Sequence, residues 1–245
     1  MLHKTKGVVL RAVKYGDTSL IVSMFTELFG LQSYIINGVR SFTAKQPARA
    51  NHFQPATFLE MVVYHDEKKN LQRIKEFKIS VLYIDIYRNV YKNAVALFMI
   101  ELVQKSLKEP ESNPELYEFI EDSFVQLDKA TPTVVANFPL YFCLHLAQFF
   151  GFKIQDNYDA EHSILDLLEG NYIKYYPEHS HYLEGEMSET TFNILEVTHP
   201  DQLEDLLLGR EQRQVLTDAY INYYSYHQPE FGAMRTIGVL QMLFV

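Results

Sequence analysis

Residues 31–53 read LQSYIINGVRSFTAKQPARANHF, with cations Arg40, Lys45 and Arg49, aromatics Phe42 and Phe53 among them, and no acid. Cations spaced along a loop with aromatic rings between them suit a polyanion whose bases can stack. The same composition also describes a plain solvated loop, since Lys and Arg favour the surface. The surrounding elements and the charge of the rest of the chain must choose between the two.

The stretch opens as a strand and breaks at Gly38. Around it, residues 5–13, 19–26, 31–38, 57–65 and 71–79 are short runs rich in β-branched and aromatic residues. Turn chemistry separates them, including Tyr15-Gly16-Asp17 and Asp66-Glu67-Lys68-Lys69-Asn70. Five short strands without a crossover helix predict a small antiparallel barrel, and the five-stranded OB-fold is the natural candidate.

From about residue 81 the apolar period lengthens to that of helices. One helix is predicted over 81–108. A second opens at Asn113-Pro114, and a third, apolar nearly all round, covers 133–150 with Gly151 at its end. Residues 154–187 interrupt with an irregular, strand-like excursion. Helices return from Ser188, over 210–227 and over 234–244. The predicted class is therefore an all-β N-terminal OB-fold barrel (1–80) followed by a mainly α-helical C-terminal domain (81–245).

Charge divides the same way. The 245 residues carry a net −9. Residues 1–80 hold twelve Lys and Arg against six Asp and Glu, and residues 81–245 hold ten against twenty-five. A positive N-terminal part and a strongly negative remainder point to different partners for the two, with phosphate drawn only to the first.

The single Cys143 excludes a disulfide framework and a cysteine-based zinc site within the chain. His179-Ser180-His181, with Glu178 and His162 nearby, has the alternation of a metal pair, but a solvated loop explains it more simply, and no metal or other cofactor is expected. The tyrosines of 220–226 read as a core edge rather than a stacking platform. No phosphate-cradling glycine loop, nucleophile elbow or metalloprotease motif occurs. A binding protein is expected, not an enzyme. With no apolar run long enough to span a bilayer and no signal segment, the expectation is no membrane contact and a cytoplasmic location.

TKGVVLRAVKYGDTSLIVSMFTELFG followed by INGVRS resembles the N-terminal barrel of the RecO family of bacterial recombination mediators. The likeness rests on Leu10-Arg11, Tyr15-Gly16-Asp17, Phe25-Thr26, Gly30 and Gly38-Val39-Arg40, and later on Arg210, His227-Gln228-Pro229 and Met234-Arg235. The resemblance implies binding of single- and double-stranded DNA and annealing of complementary strands. It also implies help in loading RecA, with RecR, on strands coated by single-strand DNA-binding protein, at the nucleoid. Many members carry a four-cysteine zinc module after the central helix; residues 154–187 contain no cysteine, so the resemblance is to a member without it.

On that reading Arg11, Lys14, Arg40, Lys45, Arg49, Lys68 and Lys69 neutralise phosphates, and Tyr15, Tyr34 and Phe42 stack bases. Arg210, Arg213 and Arg235 would receive the coating protein's acidic C-terminal tail, or simply pair with neighbouring acids. An RNA-binding OB protein and a protein adaptor that binds no nucleic acid remain the alternatives.

Overall fold

The computed structural model describes residues 1–39 and 49–244, with the backbone alone at Arg49. The β-branched runs form β1 (Leu2–Tyr15), β2 (Ser19–Thr26), β3 (Gly30–Ile36), β4 (Phe58–Tyr64) and β5 (Gln72–Ile79). They close into a barrel in the order β1-β2-β3-β5-β4, antiparallel except between β3 and β5. This is the OB-type barrel that the sequence predicts. Closure removes the free sheet edges that would otherwise invite pairing with other chains.

Alternation sorts the strands' side chains into two sets. Val9, Leu20, Val22, Met24, Tyr34, Ile36, Leu59, Met61 and Val63 fill the barrel, and Phe53, from a 3-10 turn at Arg49–Phe53, joins them. On the outside, register places Phe25, Val8 and Phe58 in one row, and all three are buried.

Helix α2 (Pro114–Lys129) covers that row. The Tyr117 ring lies 6.2 Å from both Phe25 and Phe58, and Phe124 meets Phe58 edge-on at 5.4 Å. Burying each such aromatic stabilises the fold by about 1.5–3 kcal/mol. Consequently one compact unit comprises residues 1–84 with 107–125, and the other comprises 85–106 with 126–245. Helical period alone grouped 107–125 with the later helices. The segment leading to α2 passes against Gly30, whose φ of +60° and contact with the Glu111 backbone leave no room for a Cβ.

The second unit contains α1 (Val90–Ser106), α3 (Pro132–Ala147), α4 (Gly185–Leu195), α5 (Arg210–His227) and α6 (Ile237–Leu243), plus a small sheet of β6 (Ile164–Asp166), β7 (Asn171–Ile173) and β8 (Tyr182–Leu183). The first helix begins nine residues later than its apolar period suggests. Asn89 supplies the cap: its Oδ1 accepts from the backbone N–H of Tyr91 and Lys92. The Asp128 carboxylate takes the N–H groups of Asp85 and Ile86, which holds the preceding residues out of the helix.

The stretch Pro132–Phe150 is apolar and long enough to cross a bilayer by composition, contrary to the sequence expectation that no run is. Its 18-residue window is 67% buried inside the protein, which is the pattern of a core helix. The tyrosines of α5 are core: Tyr220 hydrogen-bonds Thr191, and the hydroxyls of Tyr223 and Tyr224 donate to the carbonyls of Phe152 and Cys143. His145, on α3, meets the Ile194 carbonyl at 3.2 Å, and burial pushes its pKa down.

Candidate nucleic-acid interface

Away from the row that α2 covers, the outward Arg11, Val13, Ile21, Ser23, Ser33, Ile35 and Arg73 of β1, β2, β3 and β5 are exposed or half-buried among the described residues. A bulge between Val9 and Arg11 resets β1 and turns Arg11 outward. Register then aligns Arg11, Ser23 and Ser33 in one row and Val13, Ile21, Ile35, Arg73 and Tyr64 in the next. Each row mixes an arginine with small hydroxyls or aliphatic side chains, and neither Arg11 nor Arg73 makes an ion pair among the described residues. Such a surface offers charge to phosphates and apolar area to bases.

Lys14 and Tyr15 lie at the β1–β2 turn, where Tyr15 is 53% exposed. Pairing of Leu20 with Ile36 puts that turn beside the end of β3, whereas the parallel pairing of Tyr34 with Gln72 carries the β4–β5 turn back along β3 toward Ser33, Gln32 and Leu31. The β4–β5 turn carries Lys68 and Lys69, both exposed. Lys69 pairs loosely with Asp66 at 3.4 Å, and the Lys68 backbone N–H donates to the same carboxylate. These bonds hold the Asp66 carboxyl below its usual range, the Lys68 N–H contributing most.

Gln72 organises this turn, and sequence reasoning did not find it. It is 3% exposed, accepts from the Asp66 N–H and donates to the carbonyls of both Asp66 and Lys69. A polar residue opening a strand gives no sequence signal for such a role. Tyr64 and Ile35 were also missed, although alternation along β4 from the buried Val63 points Tyr64 outward.

One expectation is corrected. Tyr34 is fully buried at 0% exposure in the barrel core, and burial raises its phenol pKa strongly. Its ring has no face open to a base, because β3 pairing puts it in the inward set with Ile36. Arg40, Phe42 and Lys45 lie outside the described residues, as does the side chain of Arg49.

In the helical unit, Arg210 and Arg213 line a groove together with Pro139, Ile237, Leu240 and Phe244. Arg210 is exposed. The Arg213 guanidinium donates to the Leu208 carbonyl, and partial burial lowers its pKa. Arg235 is not part of that lining; its backbone N–H donates to the Glu101 carboxylate. The structure thus brings two of the three predicted arginines to one apolar groove. His179 faces Asp166 and His181 bonds the Tyr226 hydroxyl; among the described residues no three His, Cys, Asp or Glu side chains are gathered as for a metal ion.

The chain matches the family model "Recombination protein O N terminal" over residues 1–83 and "Recombination protein O C terminal" over residues 88–183. The chain belongs to the RecO family. Among its relatives, the DNA repair protein RecO of Flavobacterium psychrophilum is 33% identical over 244 residues, and that of Bacteroides fragilis is 30% identical over 247, each match covering all of both chains. The corresponding protein of Christiangramia forsetii is 29% identical over 244 residues, again over the full length of both. RecO membership supports a role in DNA repair, and the closed five-stranded barrel is the RecO N-terminal OB-fold.

Proposed function

We propose that this RecO-family chain is a non-enzymatic mediator that binds single- and double-stranded DNA on this barrel face and anneals complementary strands. With RecR, it helps load RecA onto strands coated by single-strand DNA-binding protein. The observation that carries the reading is the barrel face on which Arg11 and Arg73 flank hydroxyl and aliphatic rows, with Lys14 and Tyr15 at the β1–β2 turn and Lys68 and Lys69 on the β4–β5 turn. Phosphate contacts release counterions and stacking tolerates any base, so binding without sequence preference follows. Pairing of complementary strands is downhill once two polyanions are brought together.

The groove of Arg210 and Arg213 supports the second half of the reading. A cation beside apolar side chains suits an acidic peptide that ends in an apolar residue, which is the chemistry expected of the coating protein's tail. A cytoplasmic, nucleoid-associated location accompanies this role. The test is an annealing assay with complementary oligonucleotides, naked and coated, alongside affinity for matched DNA and RNA single strands. Accelerated annealing that is lost with rising salt is the expected result. Preference for RNA would favour an RNA-binding barrel, and salt-independent or absent binding would favour a protein adaptor.

A further inference from the structure

Where the ends of β3 and β4 meet the start of β5, the barrel surface opens into a cleft of about 740 Å³. This size is typical of sites that enclose a small organic group. Tyr64 borders it at the last position of β4 and is 48% exposed, whereas Val63 before it is fully buried. Register pairs Tyr64 with Arg73, and Arg73 in turn with Ile35. Ile35 and Leu71 give the cleft an apolar lining, and Arg73 and Lys69 give it cations. Asp66, the one carboxylate lining it among the described residues, is already engaged by the Lys68 N–H and the Lys69 ammonium. An exposed ion pair of that kind is weak and exchanges readily for a phosphate.

We propose that this cleft is a subsite for one unpaired nucleotide of a DNA single strand, with Tyr64 stacking its base and Arg73 and Lys69 holding its phosphate. The inference rests on the DNA-binding reading and assigns a stacking position that Tyr34, being buried, does not supply. An aromatic ring and two cations lining one cleft match the base and the phosphate of a nucleotide. The concave shape selects an unpaired base, because a base inside a duplex is stacked on both sides and has no free face to offer. Register continues the row from Ile35 to Ile21, which would give the rest of the strand a path across the barrel face.

The test measures affinity of the full chain for fluorescent oligothymidylate and for a duplex, over a range of salt. The variants are Tyr64→Ala, Tyr64→Phe and Arg73→Gln. Tyr64→Ala is expected to weaken single-strand binding roughly five- to a hundredfold and to leave duplex binding within about twofold, without changing the salt slope. Tyr64→Phe keeps the ring and should bind like the parent. Arg73→Gln should lower the slope of log K against log salt by about 0.7. Photocrosslinking of an iodouracil-bearing strand should reach Tyr64 in the parent protein. Parental single-strand affinity in Tyr64→Ala, or an equal loss on duplex, overturns the subsite and leaves DNA binding by the barrel intact. A parent protein that binds no oligonucleotide overturns both.

Discussion

Truncating Phe124 to alanine tests whether α2 is structurally part of the barrel. Phe124 is fully buried, meets Phe58 edge-on at 5.4 Å and lies 6.3 Å from Tyr83. Removing a buried phenylalanine costs about 3–5 kcal/mol, the lost transfer energy plus that of the cavity. A domain's whole stability is about 5–15 kcal/mol, so Phe124→Ala should remain folded while losing a large share of it. The edge-on pair should add a coupling of about 0.5–1.5 kcal/mol between Phe124→Ala and Phe58→Ala in a double-mutant cycle. Urea unfolding followed by tyrosine fluorescence reads both quantities, since the chain has 17 Tyr and no Trp. A fragment ending at residue 80 should fare worse, because it exposes the whole row of Phe25, Val8 and Phe58. A Phe124→Ala cost below about 1 kcal/mol with no coupling would refute the packing argument.

Reversing Arg40, Lys45 and Arg49 to Glu should flatten the single-strand salt slope by about two units and slow annealing, as measured by titration at several salt concentrations. Arg210→Glu should weaken an acidic tail peptide about tenfold, read by fluorescence anisotropy, with naked-DNA affinity nearly unchanged, whereas Arg235→Glu should do little because Arg235 is outside the groove lining. Burial opposes ionisation of Glu101, but the N–H groups of Arg235 and Thr236 and the Thr236 hydroxyl outweigh it and hold the carboxyl low. A depressed carboxyl contributes stability above its unfolded pKa of about 4.3 and loses it as pH falls through the folded value. Glu101→Gln should therefore melt earlier than the parent at pH 7, and that gap should close as pH falls below about 4.3. Chelator should leave the melting temperature unchanged and elemental analysis should find no stoichiometric zinc; a metal lost with His179→Ala would overturn that.

The five strands were legible because alternation and turn residues act locally: β2 occupies Ser19–Thr26, the span its alternation marks. Helix α5 was equally plain, since Gly209 and the break after His227 bracket it. What could not be read were facts of tertiary pairing. Tyr34 has the sequence context of a surface aromatic, yet the parity of β3 relative to β2 turns it inward with Ile36. Leu116, Tyr117 and Phe124 show an amphipathic helix, but period does not say which surface that face covers, and it covers the barrel. Arg210 and Arg213, one turn apart on α5, were foreseeable neighbours; Arg235, far along the chain, depended on Glu101 and went elsewhere.

The single buried amide of Gln72 has a thermodynamic consequence. Three hydrogen bonds from one side chain fix the turn that carries Lys68 and Lys69. A flexible turn would surrender backbone freedom at each encounter with an anion, about 1–2 kcal/mol for every residue ordered. Here that loss occurs once, during folding, and is not repeated at each encounter. A Gln72→Ala chain would keep both lysines and their charge, yet hold a polyanion more weakly, with the deficit appearing in the entropy of binding rather than in its dependence on salt.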